Sequence, residues 1–400
     1  MPVCPLPPAI LAKAVALSHC YEGLHFGGTA WLILALWFLV AAGLGGRIAR
    51  AASCVSSRRW LQGLVAISAW LLILVLLELP ASLVAHDVNL RYGISVEGWG
   101  AWWVDWLKSL ALNLVVGIFV LSVLYAMLRR LPRRWWVAFW AFTVVVVVIG
   151  TYIAPLVVDP LFNHFQPLVQ TDPALVQKLE EVADRGGLQI PKGRIFLMDA
   201  SRRYTSPNAY VTGIGSSKRI VVWDTTLKEE SPSEILFTYG HEQGHYVLHH
   251  IPKGIAFAAA MFFIFYWFGS RLLEWLVRSK GSVWKIDAVS NWSSLGLVLL
   301  LVSVLSFLTE PLANSFSRMI EHQADVYGQE VIHGLVPDPQ ATVVQSFCSD
   351  AVLWLDNPSP NHFAEFWTYS HPSTEERAEF AAQYDPWQPG RRPRYFSPTR

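Results

Sequence analysis

The residues with the clearest chemistry are His241-Glu242-Gln243-Gly244-His245. Histidines four apart on a helix stand one turn apart on the same face, where two ring nitrogens can share one zinc ion. Glu242 leaves the helix about 100° around from His241, so it can reach a water on the metal without ligating the metal. That is the arrangement metal-assisted amide hydrolysis needs: zinc lowers the pKa of its water to about 7, and Glu242 takes the proton and later passes it to the leaving amine. The surroundings predict a helix over residues 233–250. Ser231-Pro232-Ser233-Glu234 offers a start with Ser231 or Ser233 as N-cap, and Ile235, Leu236 and Phe237 follow. His249 and His250 are read as the end of this helix, where a positive charge suits the dipole, and not as ligands.

A catalytic zinc needs a third protein ligand and an open position. A third histidine six residues on is excluded, because Leu248 and Ile251 occupy the positions where that pattern needs glycine and histidine. Glu321-His322-Gln323-Ala324-Asp325 offers a carboxylate on another helix. Glu321 and Asp325 share a face, so one acid can ligate the metal while the other orients a ligand histidine.

Those segments must be held by a membrane-embedded frame. The 400 residues are 53% hydrophobic and only 15% charged, with 19 Trp, which is too apolar for a soluble enzyme. Six apolar runs are candidate spans: 28–44, 60–85, 107–128, 135–157, 255–277 and 292–313. Tryptophans cluster near their ends, as in an interfacial belt. Two spans separate His245 from Glu321, so the chain returns to the side it left and the ligands can meet just off the bilayer. Arginines crowd the loops between spans one and two, three and four, and five and six. By the positive-inside rule those loops are cytoplasmic and the zinc motif faces outward. The first 25 residues, with four prolines, do not read as a cleavable signal peptide. A net charge of +1 gives no sign of a nucleic-acid partner. Cys4, Cys20, Cys54 and Cys348 are scattered and read as small hydrophobes, not as a disulfide framework. Glu78 and Glu310, near span ends, are expected to line a polar cavity or to snorkel to the interface.

The divisions expected are a four-span region over 1–157, a first protease segment over 158–250, a transmembrane hairpin over 251–313, a second protease segment over 314–384, and a disordered Pro- and Arg-rich tail over 385–400. Within the protease part, a helix over 174–185 is stopped by Gly186-Gly187, and β-runs at 194–198 and 219–223 follow. A hairpin joins residues 209–212 to the second run, and a further helix covers 315–332.

Five stretches together resemble the zinc-dependent CAAX prenyl protease family: His241-Glu242-Gln243-Gly244-His245, Glu321-His322-Gln323-Ala324-Asp325, Ser206-Pro207-Asn208-Ala209-Tyr210, Lys218 through Leu227, and His371-Pro372-Ser373-Thr374-Glu375-Glu376-Arg377. They fall in that family's order. The resemblance implies an α-helical multi-pass membrane protein carrying an α+β, gluzincin-like zinc metalloprotease domain. It implies one Zn2+ ion held by His241, His245 and Glu321, with Glu242 as general base. It further implies that Asn208 binds substrate backbone beside an edge strand, that His371 stabilises the oxyanion and that Arg377 supports the site. Family members usually have seven spans, and the eukaryotic site faces the cytosol; this chain has six, with arginines that point the site outward.

The expectation is therefore an endopeptidase in a bacterial inner membrane acting on protein or peptide substrates near the bilayer. The alternatives are a quality-control protease without prenyl specificity, and a non-catalytic binder of hydrophobic segments that uses zinc only as a brace.

Overall fold

The computed structural model describes residues 2–188 and 192–397. In chain order the helices are α1 (Pro8–Ala41), α2 (Leu44–Val55), α3 (Arg59–Tyr92), α4 (Trp99–Arg130), α5 (Trp135–Ile153), α6 (Asp159–Phe162), α7 (Pro173–Arg185), α8 (Asp224–Glu229), α9 (Pro232–Val247), α10 (His250–Trp284), α11 (Leu295–Val331), α12 (Pro339–Leu353), α13 (His362–Thr368) and α14 (Thr374–Gln383). The strands are β1 (Phe165–Pro167), β2 (Ile195–Met198), β3 (Ala209–Thr212) and β4 (Arg219–Trp223). Six helical stretches among the described residues are long and apolar enough to cross a membrane, in the places the sequence indicates.

The spans are longer than their apolar runs. α1 starts at Pro8, because proline at the first helical position forfeits only an N–H that has no partner there. Its first turns hold Ser18, Glu22 and His25 against protein: His25 Nε2 lies 3.2 Å from Glu310 Oε2 on α11, so Glu310 faces the interior. At 37 residues α11 is about 55 Å long, well beyond a hydrocarbon core of about 30 Å. One continuous helix therefore forms span six and carries Glu321 out of the membrane.

The arginine-rich loops gather at one end of the bundle. Arg129 donates to Ser290 O at 3.1 Å and covers the Trp292 ring at 4.2 Å, and Gly46 of α2 lies against the Lys285 carbonyl. At the opposite end is the protease part. Its sheet has the order β1-β2-β4-β3, with β2 and β4 parallel and the other pairs antiparallel, which leaves β3 on an edge. The β3–β4 hairpin matches the sequence reading; β1, α12, α13 and α14 were not anticipated.

Helices α9 and α11 cross closely enough to share a metal because glycines line the contact. A Cβ on Gly328 would stand 2.9 Å from the His241 amide nitrogen, and one on Gly240 would stand 2.8 Å from Val331 Cγ1. We expect Gly328→Ala to destabilise the protein by about 1–3 kcal/mol, as overpacking does, and to push His241 away from Glu321. Thermal unfolding and metal content measured together check this; wild-type values for both would show that the crossing tolerates a methyl group.

Two expectations are corrected. Cys4 and Cys348 are bonded in a disulfide between the N-terminal segment and α12, with Cα atoms 5.0 Å apart, and the amides of Val3 and Cys4 donate to Glu375 on α14. A separation of 344 residues leaves no spacing signal to read. The tail is docked as far as Phe396: the buried Glu330 carboxylate accepts the N–H groups of Arg394, Tyr395 and Phe396 and the O–H of Tyr384. One carboxylate taking several backbone donors can anchor a segment whose composition alone suggests disorder. Residues 398–400 lie outside the described residues.

Candidate metal centre and active site

Helix α9 opens with a capping box. Ser231 Oγ accepts from Glu234 N at 3.4 Å, and Glu234 Oε2 accepts from Ser231 N at 2.8 Å, with Pro232 next in the chain. This fixes the phase of the helix and hence the face carrying His241 and His245. Their Nε2 atoms are 3.1 Å apart. Glu321 Oε2, from α11, lies 3.2 Å from His241 Nε2 and 3.6 Å from His245 Nε2. These three residues offer one donor atom each, all within 4.8 Å of one another.

The donor set suits a divalent cation. Glu321 Oε2 is buried and, among the described residues, has no partner in hydrogen-bond geometry, although imidazole nitrogens surround it. Two nitrogens and one oxygen are also the kind of set that zinc takes when it keeps an open position. The other ring nitrogens point away and are engaged. His241 Nδ1 is 2.8 Å from Asp325 Oδ1, and Arg377 grips both Asp325 oxygens, Nε at 2.8 Å and Nη2 at 2.6 Å. Glu321 and Asp325, left open in the sequence as ligand and orienting group, are thus separated by position. Burial works against a charge on His241, but its hydrogen bond to Asp325 and the neighbouring Glu321 carboxylate outweigh that and raise its pKa to about 10. A cation entering here competes with a proton.

Glu242 points to the edge strand, where its Oε2 accepts the Val211 N–H at 3.0 Å. Burial raises its pKa above the usual carboxylate value, the direction that suits a base working near neutrality. Asn208 is pinned by its backbone: its N–H donates to Thr226 Oγ1 at 2.8 Å, and its carbonyl accepts from Thr226 Oγ1 and Trp223 N. Thr225 likewise holds Ser206 O at 2.9 Å. These two threonines lie within the Lys218 to Leu227 stretch, but no spacing rule ties them to Asn208; the β-hairpin does. With Asn208 bonded to Trp223, the alternation of an antiparallel pair turns the polar groups of Ala209 and Val211 to the open edge.

His371 enters from the loop before α14, with Nε2 3.2 Å from Glu321 Oε2 and Nδ1 3.0 Å from Ser370 Oγ. Its side chain is 51% exposed, whereas that of His241 is 10% exposed. It stands beside Glu321, outside the group of three donors. Cavities of about 730 Å³ and about 460 Å³ share Asn208, Ala209, His241, Glu242 and His371, so the cluster sits where the two join. In the larger one, burial and the nearby Asp350 charge raise the pKa of Glu230 to about 8.

His250 overturns one expectation. It is not a charged group at the end of α9: it is buried, and its Nδ1 is 3.0 Å from His245 Nδ1. The helix breaks before it, with His249 left-handed at φ 58°.

Residues 169–385 match peptidase family M48, and residues 23–164 match the family described as CAAX prenyl protease N-terminal, five membrane helices. That N-terminal stretch holds the latter part of α1 and all of α2 through α6, of which α2, with 12 residues, is too short to cross a bilayer. The chain is 32% identical to the uncharacterized metalloprotease YhfN of Bacillus subtilis over 94% of this chain and 86% of that one. It is 29% identical to CAAX prenyl protease 1 of Saccharomyces cerevisiae over 76% of this chain and 68% of that one. The crystal structure of S. mikatae Ste24p superposes with a TM-score of 0.80 at 22% identity, covering 95% of this chain and 90% of that one. At that identity the likeness shows a shared fold.

Proposed function

The chain belongs to peptidase family M48 as a multi-pass membrane metalloprotease of the CAAX prenyl protease type, and from that premise we propose that its metal is one zinc ion held by His241, His245 and Glu321. The observation that carries this reading is the convergence of three donor atoms within 4.8 Å of one another, one of them the buried Glu321 Oε2, which has no partner in hydrogen-bond geometry among the described residues. Zinc bound there supplies Lewis acidity, which polarises a scissile carbonyl and makes water acidic near neutral pH.

The remaining work belongs to the chain's own side chains. A peptide lies extended along β3 and adds a strand to the sheet edge, with Asn208 holding its backbone. Glu242 accepts the proton of the attacking water and delivers it to the departing amine. His371, reaching in from the cavity, donates to the carbonyl oxygen as negative charge builds on it. Asp325, fixed by Arg377, keeps the proton of His241 on Nδ1 and leaves Nε2 for the metal. The substrate is a protein or peptide segment presented at the membrane surface, because the cluster lies just past the ends of spans five and six. Prenylation of that substrate is not required by any contact described above.

The test is cleavage of a purified, membrane-proximal reporter peptide by the detergent-solubilised protein. A chelator is expected to abolish turnover and stoichiometric zinc to restore it. Turnover that survives complete metal removal would reject the mechanism. A non-catalytic brace would show bound zinc and no cleavage.

The catalytic part faces the outside of a bacterial inner membrane. The arginine-rich loops support this by the positive-inside rule. Independently, the Cys4–Cys348 disulfide stands on the protease side, and such bonds persist in oxidising compartments. Cys54 is a free, exposed thiol on α2, at the arginine-rich end. A membrane-impermeant maleimide is expected to modify Cys54 in inverted vesicles and not in intact spheroplasts; the opposite pattern would reverse the orientation.

A further inference from the structure

His245 sits five residues before His250, and on an unbroken helix those positions lie about 140° apart around the axis. The left-handed His249 turns the chain back, so the two rings meet in an edge arrangement with centroids 5.0 Å apart and Nδ1 atoms at 3.0 Å. His250 Nε2 is in turn 3.2 Å from Gln323 Oε1 on α11, two residues beyond Glu321. Nothing in the proposed mechanism uses this relay.

We infer that His250 is the positioning residue for His245, fixing both its ring plane and its tautomer. The inference rests on the metal-site reading above. If His245 gives its Nε2 lone pair to a metal, its hydrogen is on Nδ1 and donates to His250 Nδ1. That nitrogen must then be a lone pair, which places the hydrogen of His250 on Nε2, where the Gln323 carbonyl oxygen accepts it. Each step follows from the one before, because a neutral imidazole has one donor and one acceptor. The two zinc histidines are therefore supported differently: His241 by a carboxylate clamped by arginine, and His245 by a neutral imidazole anchored to span six. Span six thus supplies a metal ligand through Glu321 and the orientation of another through Gln323. A shift of α11 along its axis would disturb both.

The experiment measures zinc affinity by chelator competition, and the visible absorption of the cobalt(II)-loaded form, on the full-length protein. His250→Ala and His250→Phe should each weaken zinc roughly 10–100-fold, the usual cost of losing such a partner. His250→Asn, whose Oδ1 stands near the place of Nδ1, should recover most of the affinity and the wild-type cobalt bands. Gln323→Leu, which leaves both rings in place, should shift affinity in the same direction. Restoration by Phe but not by Asn would mean that His250 only fills space, and wild-type affinity in all four variants would overturn the inference while leaving the metal site intact. A wild-type protein that takes up no divalent ion would overturn both.

Discussion

Glu242→Gln is expected to retain one zinc per protein and to lose hydrolysis by roughly 10²–10⁴-fold, the contribution of a well-placed general acid and base. The substitution is nearly isosteric. The Gln oxygen can still accept the Val211 N–H that Glu242 now receives at 3.0 Å, so the edge strand keeps its position. What is lost is the ability to hold a proton between the attack on the carbonyl and the departure of the amine. Stability should not fall, since burial already disfavours the charged form of Glu242. The measurements are zinc content by elemental analysis and turnover of a reporter peptide. Turnover near the wild-type rate would remove Glu242 from the mechanism, and a parallel loss of zinc would mean that it ligates.

Glu321→Ala is expected to lower zinc affinity by more than the roughly 10–100-fold typical of losing an orienting group, leaving the isolated protein largely without metal. Only two imidazoles from one helix would remain. The buried carboxylate oxygen that lies within 3.2 Å of both His241 and His371 would be gone. Asp325→Asn is the comparison: it removes the anion behind His241 but keeps all three donors, so its loss should stay within that 10–100-fold range. Unchanged zinc stoichiometry in Glu321→Ala would show that another residue completes the site. The two acids, four residues apart on one helix face, are thus separable by the size of the effect.

Much of the protein could be read locally. His241, Glu242 and His245 lie within one and a half turns, so helical spacing alone sets their mutual directions. Span count and parity brought Glu321 to the same side of the membrane, and apolar length identified the six spans, although not their full extent. His250 was misread because its contact depends on one left-handed residue, His249, that interrupts the helix. Asn208 and His371 were reached only through resemblance. Asn208 is held by Thr226 across a hairpin and His371 by a loop that α14 positions, neither of which leaves a periodic trace. Cys4 and Cys348 pair across 344 residues, and the tail docks on one buried carboxylate, Glu330.

By itself the sequence determined the chemistry and the solvent: a histidine pair with its glutamate, a carboxylate returning from beyond a transmembrane hairpin, and enough apolar length to place both at a bilayer. Those properties follow from intervals of a few residues and from composition, where backbone geometry leaves little freedom. The tertiary structure alone decided which acid stands beside the two histidines, which nitrogen of His241 and of His245 faces it, how close α9 and α11 can come at Gly328, and where the chain's ends are fastened. Each of these depends on contacts between segments far apart in the chain, and only the packed fold sets such distances.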